Sequence, residues 1–149
     1  MDLNQLKKLQ NRLRQINRPK VEKLFEEEVL ADEETITQKV KDRWDRGLRP
    51  SGEIIGTYKN AEYALFKNTI NPLANGNVDL TVTRALRNGL TIFPRGKGNF
   101  DIFSTDNKAV NIADKYGIDV YGLTEKEEHA EMELTAQSVN KRIKEFVGL

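Results

Sequence analysis

Between Arg46 and Tyr58 the chain packs three glycines and a proline into thirteen residues: Gly47, Pro50, Gly52 and Gly56. No helix passes through such a run, because proline lacks an amide and glycine favours conformations that end regular structure. A charged helical pattern reaches this point from the N-terminal side. The chain must therefore leave that helix through a compact turn that closes on Tyr58. The order of residue types is too specific for a simple linker. The segment reads as a shaped loop, continued by Tyr63 and Lys67 and then by Val78 to Thr83.

Upstream, Leu3, Leu6, Leu9, Leu13 and Ile16 recur every three or four residues, which predicts one apolar stripe on a helix. Its other faces carry Lys7, Lys8, Arg12 and Arg14. Pro19 suits the first turn of a second helix, which the pattern Val21, Leu24, Phe25, Val29, Ile36, Val40 and Trp44 carries to about Asp45. The acidic block Asp32 to Glu34 either breaks that helix or lies on its solvated side, and Gly47 is placed to cap its end. Basic stripe and acidic block leave two readings of the first helix. Either it lies on a membrane surface or nucleic acid, or its leucines pack on another helix, in this chain or in a neighbouring copy. Opposite charge on consecutive segments favours packing.

Downstream, Ala61 to Phe66 predicts a turn or two of helix. Val78 to Thr83 alternates apolar and polar residues as a short strand does. Leu90 to Phe93 and Phe100 to Phe103 predict two strands joined by the hairpin signal Arg95-Gly96-Lys97-Gly98. Asn107 to Tyr116 predicts a helix closed by Gly117, and Ile118 to Tyr121 a further strand. Thr124 and Glu127 form a capping box that opens a last helix with Met132, Ala136, Val139, Ile143 and Phe146 on one face. The class is α+β: long N-terminal helices, a small antiparallel sheet with a hairpin, and a C-terminal helix packed on it. Residues 1–45 read as a helical arm and 46–149 as the α+β domain, in one compact unit overall.

The chain has 149 residues and a formal net charge of +1, so any pull toward nucleic acid or membrane is local. It has no cysteine, which excludes disulfides and thiolate metal sites. Met1 to Asn4 lacks the apolar run of a signal peptide, and no stretch is long and apolar enough to predict a membrane span. The single histidine, His129, sits among glutamates and offers no second imidazole for a metal site. No nucleophile elbow accompanies it. Asp79 and Asp101 border predicted strands and are the best candidates for acid–base work, but an aspartate there is more often a turn former. Arg95 to Gly98, with Arg84 and Arg87, offers local positive charge without Walker spacing. It reads as an exposed hairpin tip, or as a loop that touches DNA or an acidic partner.

Read in order, these central and C-terminal segments resemble a family of small virion proteins of tailed bacteriophages. These are neck, head–tail connector and tail-completion proteins, similar to the virion-morphogenesis proteins of Mu-like phages. The resemblance rests on Gly47 to Tyr58, with Gly52, Ile55 and Tyr58 in the family's spacing, then on Tyr63, Lys67 and Val78 to Thr83. It continues through Lys115 to Thr124, the approach to the last helix. It spans about Trp44 to the C-terminus. Where the family has glycine after the threonine of the Val-Asp-Leu segment, this chain has Arg84.

The resemblance implies a structural protein without catalytic residues, cofactor or metal, present in many copies as a ring between portal and tail. Gly47, Gly52, Gly56, Tyr58, Tyr63 and Lys67 would then shape an assembly loop. Arg84, Arg87, Arg95 and Lys97 would meet packaged DNA or an adjacent ring. The partners would be further copies of the chain and other neck, portal or tail proteins, with no membrane. The place would be the virion, assembled in the host cytoplasm. The alternative is a nucleic-acid-binding accessory protein that uses the basic hairpin.

Overall fold

A computed structural model describes residues 2–81 and 84–149. Its elements are α1 (Leu3–Arg14), α2 (Arg18–Ala31), α3 (Glu33–Asp45), α4 (Ala61–Ile70), α5 (Arg84–Asn88), β1 (Leu90–Gly96), β2 (Asn99–Ser104), α6 (Ala109–Tyr116) and α7 (Glu125–Val147). Short 3₁₀ turns occupy Pro72–Ala74 and Ile118–Tyr121. The class is α+β, with α2, α3 and α5 packed against one antiparallel hairpin.

Side chains set most helix starts. Asp2 and Gln5 form a capping box on α1, Asn17 caps α2 ahead of Pro19, Asn60 caps α4, and Thr124 and Glu127 cap α7. The predicted single helix from Pro19 to Asp45 is two. Its chain bends at Asp32, whose amide ends α2 on Glu28 and Val29 and whose carbonyl starts α3 by accepting from Ile36. The acidic block thus marks a break.

β1 and β2 pair in the predicted hairpin, in the register Leu90 with Ser104 and Ile92 with Ile102, with an irregularity between Pro94 and Gly96. On the other side of β1, a Glu33 carboxylate oxygen accepts the Ile92 amide at 2.7 Å and the Thr91 hydroxyl. A carboxylate from the first turn of α3 thereby blunts an edge that would otherwise offer an unpaired amide.

The main core gathers Val40 and Trp44 of α3 with Ile55, Val78, Leu86, Leu90, Val120 and Tyr121. Trp44 and Tyr121 meet edge to face at 5.7 Å, and the Trp44 indole donates to the Val120 carbonyl at 2.8 Å. A smaller cluster joins Val29, Ile36 and Ile92. Both clusters draw on residues from before position 46, so α2 and α3 belong to the core. α1 lies outside both clusters, packed along α7 with none of its residues buried.

Three expectations are corrected. Val78 to Leu80 is not a strand: all three residues are buried and Leu80 has a left-handed φ of 54°, while Val82 and Thr83 lie outside the described residues. Ile118 to Tyr121 is a 3₁₀ turn between Gly117 and Gly122. The inward face of α7 is Glu131, Thr135, Val139 and Val147, whereas Met132 and Ala136 of the predicted stripe are exposed. α7 runs along α2 and α1, held to α2 by Arg142 on Glu27 and Glu28. Toward the hairpin it leaves an open groove.

Candidate functional site

The loop from Gly47 to Tyr58 begins as the C-cap of α3. The Gly47 amide donates to Trp44 at 2.8 Å and the Leu48 amide to Arg43 at 3.1 Å, a paired closure that needs a left-handed residue at position 47. Gly47 supplies it, with φ of 66°. A Cβ there would also lie 3.0 Å from the Val78 carbonyl oxygen, so the position requires glycine on two counts.

Beyond the cap the chain makes a small hairpin. Arg49 donates its amide to Glu53 at 2.7 Å, Gly52 to Arg49 at 3.0 Å, and Ile55 back to Gly47 at 2.9 Å. The Val78 amide then donates to Gly56 at 3.0 Å, tying the loop to the buried segment that follows α4. The Arg49 guanidinium reaches across to Asp119 at 3.1 Å and to the Ile55 carbonyl at 3.3 Å. The loop is therefore fixed by backbone bonds along its length and by an ion pair to the turn before α7.

Tyr58 packs on the main core and meets Tyr63 edge to face at 4.9 Å. Burial pushes its hydroxyl well above the ordinary tyrosine range, and the Asp79 charge adds to this. Lys67, assigned from sequence to the loop, is buried. Its Nζ lies 2.8 Å from the Asp79 carboxylate, with the two side chains 2% and 1% exposed. Asn71 donates to Asp79 at 2.9 Å and to the Asp45 carbonyl at 2.7 Å, and the Thr81 amide donates to Asp79 at 3.2 Å. Burial opposes ionisation of Asp79, but Lys67, Asn71 and Thr81 outweigh it and hold the carboxyl below its ordinary value. Asp79, one of the two acid–base candidates from sequence, is thus the centre of a closed structural network. Its partner Lys67 was legible as a charged residue, but nothing in the spacing linked the two.

With Lys67 turned inward, α4 is inverted. Its apolar residues Leu65, Phe66 and Ile70 are exposed, and Leu73 continues the same surface at 70% exposure. A helix that buries a lysine and exposes its largest apolar side chains is the reverse of what a helix on a monomer core shows.

The basic candidates do not converge as free charges. Arg87 is bound to Asp45, with Nη2 at 3.0 Å, and its Nη1 also donates to the Lys41 carbonyl at 3.4 Å. Arg95 is held by Asp101 at 2.6 Å on the face of the hairpin. Lys97 sits at the hairpin tip with a left-handed φ of 55°, and Arg84 opens α5; both are exposed. Asp101 is therefore a partner of Arg95, and His129 lies exposed on α7, 3.4 Å from Glu133. Among the described residues no group of three histidines or carboxylates is placed to hold a metal ion.

One buried cation was missed from sequence. Arg43 donates from Nη1 to Glu127 at 3.2 Å and from Nη2 to the Gly122 carbonyl. Burial lowers its pKa, with Glu127 opposing. It ties the end of α3 to the start of α7. Its position next to Trp44, in a helix with many charges, gave no signal that it points inward.

Comparison with known protein families, characterised proteins and solved structures finds no match to this chain.

Proposed function

We propose that the chain is a structural virion protein of a tailed phage, one of many copies in a ring at the neck or the head–tail or tail-completion junction. The observation that carries this is the inverted helix α4. Its large apolar residues are exposed, while the Lys67–Asp79 pair and the Tyr58–Tyr63 contact tie it to the buried segment and the loop. Exposed apolar surface on a rigid mount suits a standing contact with a neighbour. The resemblance of Gly47 to Thr124 to neck and connector proteins supplies the biological setting. Other copies, portal proteins or tail proteins are the neighbours. Lys97 and Arg84 offer charge to packaged DNA or an adjacent ring, while Arg87 and Arg95 serve contacts within the chain.

The alternative is an accessory nucleic-acid-binding protein. It would draw on Arg84, Arg87, Arg95 and Lys97, of which two are already paired. Mass measurement of purified mature particles tests the main reading. The protein is expected there in a fixed copy number, and its absence from mature particles contradicts the reading.

A further inference from the structure

The groove between the hairpin and the first half of α7 has a volume of about 860 Å³. Phe25 and Val29 of α2, Ile92 and Ile102 of the sheet, Ile118 and Met132 make its walls apolar. Glu128 and Glu131 of α7 bring acid to one side of it, while on the hairpin side Arg95 is neutralised by Asp101, so the lining keeps an acidic balance. Glu131 is 6% exposed; one of its oxygens takes Lys39, and the other, Oε2, has no hydrogen-bond partner among the described residues. A buried carboxylate with one oxygen left without a donor keeps an unneutralised acceptor beside the groove, which favours an approaching cation.

α1 has the complementary chemistry. Leu3, Leu6 and Leu13 are exposed, and the helix body carries Lys7, Lys8, Arg12 and Arg14 with no acid. Arg12 donates to the Val147 carbonyl at 3.3 Å. Among the described residues no carboxylate stands within ion-pair distance of Lys7, Lys8 or Arg14. No residue of α1 lines the groove. Its anchor at Val147 lies sixteen residues along α7 from Glu131, about 24 Å at helical rise.

We propose that α1 of one copy of this chain lies in the groove of the next copy. Its leucines cover the apolar wall, and its lysines supply positive charge to the side that carries Glu128 and Glu131. This is helix-in-groove recognition, specified by an apolar stripe and opposite charge. The two faces differ, so we take the contact as head-to-tail, each copy giving α1 to the next and taking α1 from the one before, which propagates to a ring or a filament rather than closing as a reciprocal dimer. The proposal rests on the assembly reading and names the neighbour as a second copy.

The absence of cysteine gives a clean test. Leu6→Cys and Met132→Cys fall on exposed residues, so neither threatens the fold of the single chain. The full-length double variant, mildly oxidised, is expected to give a reductant-sensitive ladder beyond dimer, while each single variant stops at dimer. In a cysteine-free background, Lys7→Glu and Glu128→Lys should each weaken self-association several-fold in sedimentation, and mixing the two proteins should restore it. An internal crosslink in a monomer, or the same dimer from Leu6→Cys alone and from the double variant with nothing larger, overturns the proposal. So does the absence of any crosslink. If the ladder fails but the protein is a stoichiometric part of virions, only this contact is lost. If the ladder forms but the protein is absent from virions, the contact stands and the virion reading falls.

Discussion

The junction around Gly47 to Leu80 and the helix α1 are built on opposite terms. In the junction, polar groups are inside: Lys67, Asp79, Asn71 and the Thr81 amide close on one another, and backbone bonds from Leu48, Ile55 and Val78 lock the loop over them. In α1, apolar groups are outside: three leucines face solvent and no residue is buried. The junction is determined several times over by this chain alone. α1 has its helix specified locally, by a capping box, and its position set by packing along α7 that leaves Leu9 half-buried and by Arg12 on the Val147 carbonyl. This difference between one surface held by buried charge and one helix with exposed leucines is the ground of the assembly we propose.

The contrast can be broken at the ion pair first. Lys67→Met leaves Asp79 buried beside an apolar side chain and should cost about 3–5 kcal/mol in urea unfolding. The pH dependence should move with it. Asp79 has a folded pKa below its unfolded value, so its contribution is present above the unfolded value of about 3.9 and is lost as pH falls through the folded one. In Lys67→Met that carboxyl loses its strongest partner and its folded pKa rises, so protonating it costs the fold less: the variant's deficit against the parent chain should be largest near neutral pH and narrow as pH falls through the carboxylate range.

Next in size is Gly47→Ala. The left-handed backbone and the approach of the Val78 carbonyl should make this cost about 1–3 kcal/mol, although no side-chain contact is removed. At the other end of the scale, Leu6→Glu with Leu13→Glu should change the stability of the dilute monomer by no more than about 0.5 kcal/mol, the range for exposed positions. A large loss there would mean that α1 is a core element after all, and the contrast would fail.

The legible parts of the fold were those settled by local chemistry. The glycine after Trp44, the Thr124 capping box, the β1–β2 hairpin around Arg95 to Gly98 and the helix closed by Gly117 each depend on residues a few positions apart. The misread parts depend on distant partners. Val78 to Leu80 alternates like a strand, yet Asp79 is as buried as its neighbours because Lys67 and Asn71 come to it from α4 and the residue after it. Ile118 to Tyr121 has strand-like residues, but its flanking glycines and the Trp44 indole on the Val120 carbonyl hold it as a turn. On α7, hydrophobicity pointed to Met132 and Ala136, while pairing with Lys39 draws Glu131 inward and rotates the buried face. Of the site residues, the glycines were readable from turn chemistry. The inward turn of Lys67, and with it the exposed face of α4, was not.

Hydrogen exchange on the dilute full-length chain, followed residue by residue, tests the contrast most directly. The amides of Leu48, Ile55 and Val78 should be protected to near the global stability, and those of α1 should exchange orders of magnitude faster, then slow as concentration rises and copies associate. Strong protection of α1 in the dilute monomer, or fast exchange at Leu48, Ile55 and Val78, would contradict the account.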